Sequence, residues 1–452
     1  MIPTRRLSFG AAIFALAALL PLSGGSGVPS QKGTALQATS VPTASATADS
    51  GALTVQADQT IGSISPFVYG VNDGPWALVP DNLQALSGQV GATYLRYPAG
   101  NWGDQHDLQP FLVDLFIASA RQRHAEPTIS VRLKGGTPDD AAALVQYTNI
   151  QQKYGVHYWS IGNEPDLYPN YTVDQYVRDW RAMAVAMRAV DPSILFVGPD
   201  ISQYPATADA YGQKFRDWLS AFLKADGDLV SIVSIHRYPF PAAMNAPATT
   251  IDQLRQNPAE WDTIIPDLRQ VIKAALGHDL PVGVTEVNSH WSPAKGGPAD
   301  PDSFFHAIWW ADALGHLIRQ QVAVVAYFTL YTGATDASGL IGPSGVRPTY
   351  YVYSLYQHLG NQLLGSASTD ASVTITAARR ADGALTLLVI NPADQDKALP
   401  ISISGQAITG AVTLWRLDAS HNAQSLGTTD EISKGTLHLP AQSASLYVIS
   451  AP

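Results

Sequence analysis

The 452-residue sequence contains no cysteine, which excludes a disulfide framework, a thiolate-held metal and the lipid-modified cysteine of a lipoprotein. Its 11 histidines are scattered, and no His-Glu-x-x-His spacing occurs, so no zinc site and no other metal or cofactor is expected. Charge is sparse: 14% of residues are charged, with 27 Lys+Arg against 37 Asp+Glu and a formal net charge of −10. No basic run interrupts the acidic balance, which excludes nucleic acid and anionic membrane surfaces as partners. No repeat of solenoid length is present. No Gly-x-Gly-x-x-Gly loop follows the first strand candidate, which counts against a dinucleotide site.

The N-terminus carries Arg5-Arg6, an apolar stretch over 9–22 and small residues over 23–27. That layout is a bacterial-type secretory signal, too short for a comfortable membrane span. The match of residues 4–9 to a twin-arginine signal is loose, and no Ala-x-Ala cleavage site is evident, so an uncleaved N-terminal anchor stays open as the alternative. A signal peptide over 1–27 implies a secreted, extracellular or cell-envelope protein with no stable membrane association after cleavage. Residues 28–50 are rich in Ser, Thr, Ala, Gly and Pro without periodicity, a composition that cannot bury enough apolar surface to order itself, and they read as a disordered linker.

The chain then takes up a rhythm. Strand candidates fall at 64–72, 94–97, 128–133, 156–161, 194–197, 230–235, 282–284 and 322–330. Between them lie helical segments with recognisable starts. Thr137 precedes Pro138, a cap followed by the helical position where proline is tolerated. Thr172 and Gln175 fit a capping box, after which Tyr176, Trp180, Met183 and Met187 follow at helical spacing as core. Eight apolar strands alternating with helices imply an α/β fold, a (β/α)8 TIM barrel over 63–365. An open doubly wound sheet is the alternative, disfavoured because polar residues collect at the C-terminal end of strand after strand. Beyond 365 the pattern changes to short alternating strands at 372–377, 384–390, 401–403, 412–417 and 445–449. These read as a C-terminal β-sandwich over 366–452, joined by an N-terminal strand within 51–62.

In a βα barrel the carboxyl ends of the strands converge on one face, so that face can be listed from the sequence. The second strand ends in Arg96, Tyr97, Pro98, Ala99, Gly100, Asn101 and Trp102. The fourth delivers Gly162-Asn163-Glu164-Pro165, the sixth His236-Arg237-Tyr238, and the seventh Thr285-Glu286. Two carboxylates facing each other across a barrel mouth are the equipment for glycoside hydrolysis, and a short separation makes the reaction retaining.

Together these motifs resemble the clan A retaining glycoside hydrolases, with families 39, 51 and 79 nearest. The resemblance covers 64 to about 365 and implies Glu164 as acid/base and Glu286 as nucleophile. It further implies that Asn163 hydrogen-bonds the sugar 2-OH, that Arg96 and Tyr238 hold Glu286 as an anion, and that His236 belongs to the substrate pocket. Asn101 and Trp102 at the second strand end, and Trp291 and Trp76 on loops, are candidate sugar contacts, since flat aromatic faces suit sugar rings. Pro98-Ala99-Gly100 departs from the Pro-Gly-Gly usual in family 51 arabinofuranosidases.

The expectation is therefore a secreted retaining glycosidase whose partner is a plant or microbial glycan. Within enzymes, an α-L-arabinofuranosidase and a β-glycosidase such as a xylosidase, galactosidase or glucuronidase remain open. From another class, an inactive glycan-binding protein on the same barrel is the rival.

Overall fold

The computed structural model describes residues 51–240, 247–291 and 297–451. The expected signal peptide, 1–27, and the expected linker, 28–50, lie outside the described residues. Strand β1 (Leu53–Ser63) belongs to the C-terminal sheet, and the chain then enters a closed parallel barrel. Its strands are β2 (Gly70–Asn72), β3 (Tyr94–Tyr97), β4 (Glu126–Val131), β5 (Tyr158–Ile161), β6 (Leu195–Ile201), β7 (Val230–Arg237), β8 (Val282–Val287) and β9 (Val324–Tyr327), with β9 paired back to β2. All eight strand candidates fall in the barrel.

One of them is shorter than its apolar run suggests. Over 64–72, Ser65 accepts the Phe67 N–H and starts a 3-10 turn, Pro66–Tyr69, so that only Gly70–Asn72 joins the barrel. Pro66 decides this, since it has no N–H for a ladder but suits the first helical position.

The alternation of side chains along β3 divides the barrel into layers. Tyr94 and Arg96 point inward, while Tyr97 turns outward and stacks on Phe116 of the helix Pro110–Gln122, with ring centroids 4.4 Å apart. At the level of Tyr94 the interior is filled by Val197, Ile232, Val324 and Ala326. Phe67 and Tyr158 pack against that layer, each ring 5.8 Å from its neighbour, and plug the amino-terminal end. The carboxyl end, two residues further along β3, is polar. That segregation gives a βα barrel its rigid apolar floor beneath a chemical face.

The helix Val173–Val190 has the expected capping box at Thr172 and Gln175, and it buries Tyr176, Trp180, Met183 and Met187 against the barrel. A hairpin of β10 (Ile341–Gly342) and β11 (Gly345–Val346) follows the barrel. The last strands are β12 (Gln362–Ser368), β13 (Thr374–Arg379), β14 (Leu385–Asn391), β15 (Lys397–Ser404), β16 (Val412–Asp418), β17 (His421–Thr428), β18 (Thr436–Leu439) and β19 (Ser443–Ile449). With β1 they form one nine-stranded sheet in the order β17-β16-β19-β14-β13-β12-β1-β15-β18, curled around its own apolar core. Strand β1 lies inside this sheet, antiparallel to β12 and parallel to β15. The edge strands β17 and β18 are absent from the sequence reading: β17 exposes nearly every residue and has no apolar face to betray it, and β18 is only four residues long, with Leu437 and Leu439 as its whole apolar face. The barrel helix Phe304–Arg319 meets the sheet through Arg319, which donates to Thr376 Oγ1 at 2.8 Å, and Asp312, which accepts from Thr374 at 2.5 Å.

Candidate active site

The polar end of the barrel is built by local departures from regular strand. β5 ends at Ile161 and Gly162 follows at φ 80°, a conformation that favours glycine; a Cβ there would also stand 2.8 Å from Leu133 Cβ. Glu164 itself sits at φ 48°, where a side chain costs about 1–2 kcal/mol. The surrounding structure holds it there. The Glu164 N–H donates to the Asp200 carbonyl at 3.0 Å, and the Asn163 N–H donates to Asp104 Oδ2 at 2.9 Å. Pro165 opens a 3-10 turn, Pro165–Leu167, directly beyond.

Glu286 arrives by a different device. Simple alternation from Val284, which packs outward, would turn Glu286 outward too. The pairing of β7 with β8 shifts by one residue between Ile235↔Val284 and His236↔Glu286. This bulge leaves Thr285 extra, so Thr285 and Glu286 both face the barrel interior. A second bulge on β6, between Pro199↔Ser234 and Ile201↔Ile235, does the same for Asp200.

Both oxygens of Glu286 are engaged. Arg96 Nη1 donates to Oε1 at 2.7 Å, the Gly100 N–H donates to the same oxygen at 3.0 Å, and the Tyr238 hydroxyl donates to Oε2 at 2.7 Å. Glu286 is 3% exposed, and the Glu164 side chain, at 14%, is the more open of the two. His236 Nδ1 lies 3.0 Å from Glu164 Oε1 and 3.8 Å from Glu286 Oε2. An oxygen of each glutamate and a ring nitrogen of His236 all lie within 4.8 Å of one another. A cation at that point would have to compete with the Arg96 guanidinium and the Tyr238 hydroxyl for Glu286, so the cluster is built for proton and carboxylate chemistry.

The two carboxyls are pushed apart in acidity. Burial lifts Glu164, and the charge of Glu286 adds to it; against the opposing hydrogen bond and charge of His236, its pKa is raised to about 7. Burial acts on Glu286 too, but His236, Arg96 and the hydroxyl of Tyr238 outweigh it and hold the group below the ordinary glutamate range. One carboxylic acid and one carboxylate, with an oxygen of each within 4.8 Å of the other and so closer than the roughly 6.5–9.5 Å of an inverting pair, can protonate a leaving oxygen and attack the carbon it leaves.

The structure brings Arg96, Asn163, Glu164, His236, Tyr238 and Glu286 together. Asn101 joins them at one remove, its Oδ1 accepting from Asn163 Nδ2 at 3.3 Å. Trp102 stacks on His106 with centroids 4.6 Å apart, Trp76 stacks on Phe328 at 5.8 Å, and Trp291 is 58% exposed just beyond β8. Three residues absent from the sequence reading complete the network. Asn72 Oδ1 accepts from Arg96 Nη1 at 3.2 Å, Asp200 Oδ2 accepts from Arg96 Nη2 at 3.1 Å, and Asp104 holds the backbone of Asn163 and the hydroxyl of Tyr168.

No family model matches the chain. It is 24% identical over 439 residues to an exo-α-(1→6)-L-arabinofuranosidase of Bifidobacterium longum, covering 77% of this chain and 79% of that protein. Among solved structures, the α-L-arabinofuranosidase of Thermotoga maritima in complex with arabinose superposes with a TM-score of 0.69 at 18% identity, covering 88% of this chain and 100% of that one. A family 44 xyloglucanase of Paenibacillus polymyxa superposes equally well, with a TM-score of 0.69, 15% identity, and coverage of 89% and 99%. At such identities the superpositions speak for the fold.

Proposed function

We infer that the chain is a retaining glycoside hydrolase of the clan A type, cleaving O-glycosidic bonds by double displacement with Glu164 as acid/base and Glu286 as nucleophile. The observation that carries this reading is the close, electrostatically divided carboxyl pair at the carboxyl ends of β5 and β8. In the first step Glu286 attacks the anomeric carbon while Glu164 gives its proton to the departing oxygen. In the second, Glu164 takes a proton from water, which displaces Glu286. Tyr238 and Arg96 stabilise the carboxylate before attack and as it leaves, and Asn163, oriented by Arg96, is placed to meet the sugar 2-OH.

The sugar favoured is a terminal α-L-arabinofuranosyl residue, on the likeness over most of the chain to the Bifidobacterium longum enzyme. The xyloglucanase superposes equally well, so the barrel itself does not choose the sugar. A panel of aryl glycosides, including α-L-arabinofuranoside, β-xyloside, β-galactoside and β-glucuronide, identifies the substrate, and failure of all of them favours a glycan-binding protein. Proton NMR of the first-formed product tests the mechanism, which requires the anomeric configuration to be kept; inverted sugar at first appearance rules out double displacement. The N-terminal signal pattern supports export of the protein.

The pH dependence follows from the two shifts. The working state needs Glu286 ionised and Glu164 protonated. Activity is therefore expected to fall as pH drops through the depressed value of Glu286, and to fall again as pH rises through about 7, where Glu164 loses its proton. The check is kcat/KM of the substrate found in the panel, whose two limbs report the free enzyme. A profile flat from about pH 4 to 8 is incompatible with this pair.

A further inference from the structure

The Arg96 fork is divided. Nη1 serves Glu286, while Nη2 donates to Asn163 Oδ1 at 2.9 Å and to Asp200 Oδ2 at 3.1 Å. A guanidinium alone with one carboxylate tends to take both of its oxygens in parallel. Here a second carboxylate occupies the other arm. Asp200 is 1% exposed and turned inward by the β6 bulge, and it is held by Thr285 Oγ1, which donates to Oδ1 at 2.6 Å, and by the hydroxyl of Ser234. Its backbone carbonyl also anchors the Glu164 N–H.

We propose that Asp200 is a positioning residue for the nucleophile: it occupies one arm of the Arg96 fork, so that Glu286 receives a single guanidinium arm and keeps its second oxygen on Tyr238 and open to the sugar. The proposal rests on reading Glu286 as the nucleophile. Burial works against the Asp200 anion, but the charges of Arg96 and His236 and its two hydroxyl donors hold it below the usual carboxylate range, so it is charged wherever the enzyme works. The ionisable groups facing Glu286 are Arg96 from β3, Glu164 beyond β5, and His236 and Tyr238 from β7 and its end, with Asp200 of β6 behind them on the far arm of Arg96 and 4.0 Å from His236 Nε2. Replacing Asp200 by asparagine removes the negative charge with which Glu286 shares Arg96, and the neutral amide that remains competes less strongly for the guanidinium than a carboxylate does. Both effects lower the Glu286 pKa. On the acid side His236 stays protonated in either protein, so it does not oppose them.

The test is a carboxyl carbon-13 NMR titration of protein labelled at glutamate Cδ. The sequence has five glutamates, Glu126, Glu164, Glu260, Glu286 and Glu431, and Glu286→Gln identifies the resonance of Glu286. In Asp200→Asn the Glu286 titration is expected to move down by about one unit, with the acid limb of kcat/KM moving alike. Circular dichroism and a melting curve of Asp200→Asn report whether the fold is intact. Ser234→Ala, which removes a hydrogen bond from Asp200 but keeps its charge, is expected to leave Glu286 in place. A Glu286 titration that stays or rises in Asp200→Asn overturns the proposal, and so does an equal shift in Ser234→Ala. If Asp200→Asn does not fold, nitrogen-15 NMR of Arg96 decides: Glu286→Gln should move one Nη resonance and spare the other, whereas movement of both means an undivided fork. An active Glu286→Ala would defeat the nucleophile reading by itself, while the titration would still report whether Asp200 holds the fork.

Discussion

Glu286→Ala is expected to lose activity on every glycoside, whatever the leaving group, by at least about 10⁵-fold, the scale on which removal of a covalent nucleophile is felt. The methyl group offers nothing to attack the anomeric carbon, so no glycosyl intermediate forms, and a better leaving group cannot supply the missing bond. The fold should survive. Glu286 is an anion satisfied by Arg96, Gly100 and Tyr238, and its removal leaves Arg96 still paired with Asp200. Circular dichroism and a melting curve beside the rate measurement separate the two effects. Folded protein that still cleaves an activated aryl glycoside at a tenth of the original rate, far above the loss expected for a nucleophile, would remove Glu286 from its assigned role.

The residues on which this mechanism rests are unequally visible in the sequence. Glu164, Tyr238 and Arg96 can be read because each stands at or just beyond the end of an apolar strand, and the barrel converts that position into a place at the mouth. Glu286 can be read by its neighbourhood but not by its parity: strict alternation from Val284 points it at the helices, and the bulge at Thr285 that corrects this is a property of two strands in register. Asp200 is hidden for the same reason. In Gly198-Pro199-Asp200 it looks like a turn residue, and its inward aim depends on a slip between β6 and β7. Asn72 ends the strand candidate 64–72 without standing out from it, yet its side-chain Nδ2 donates to the Thr285 carbonyl at 2.9 Å and its Oδ1 accepts from Arg96. Asp104 lies on the four-residue helix Trp102–Gln105, with no strand to announce it. Residue type at a strand end is a local signal, whereas the supports beneath it arise from pairing between segments about 25 to 200 residues apart, beyond the reach of any window of periodicity.

Glu164→Ala is expected to separate the two steps that Glu286→Ala abolishes together. The mutation removes a proton donor worth about 10² to 10⁴ in rate, and the loss falls on substrates whose departing oxygen is a poor leaving group. An activated aryl glycoside departs without a proton, so Glu286 still attacks and the glycosyl–enzyme ester still forms. The second step then stalls, because the group that would deprotonate water is gone, and a burst of phenolate followed by slow turnover should be seen. The geometry adds a reason to expect rescue. The Glu164 side chain is the more open of the pair at 14% exposure, and its removal leaves a space beside His236, whose Nδ1 lay 3.0 Å from the lost carboxylate. Azide can enter that space, and as an anion that needs no base it attacks the anomeric carbon directly. The carbon–oxygen bond to Glu286 breaks, Glu286 leaves as carboxylate, and the product is a glycosyl azide with the configuration of the substrate. Mass spectrometry and proton NMR of that product check the outcome. Should Glu286→Ala instead give the burst and, with azide, a glycosyl azide of retained configuration, the roles of the two carboxylates are exchanged and the donor lies on β8.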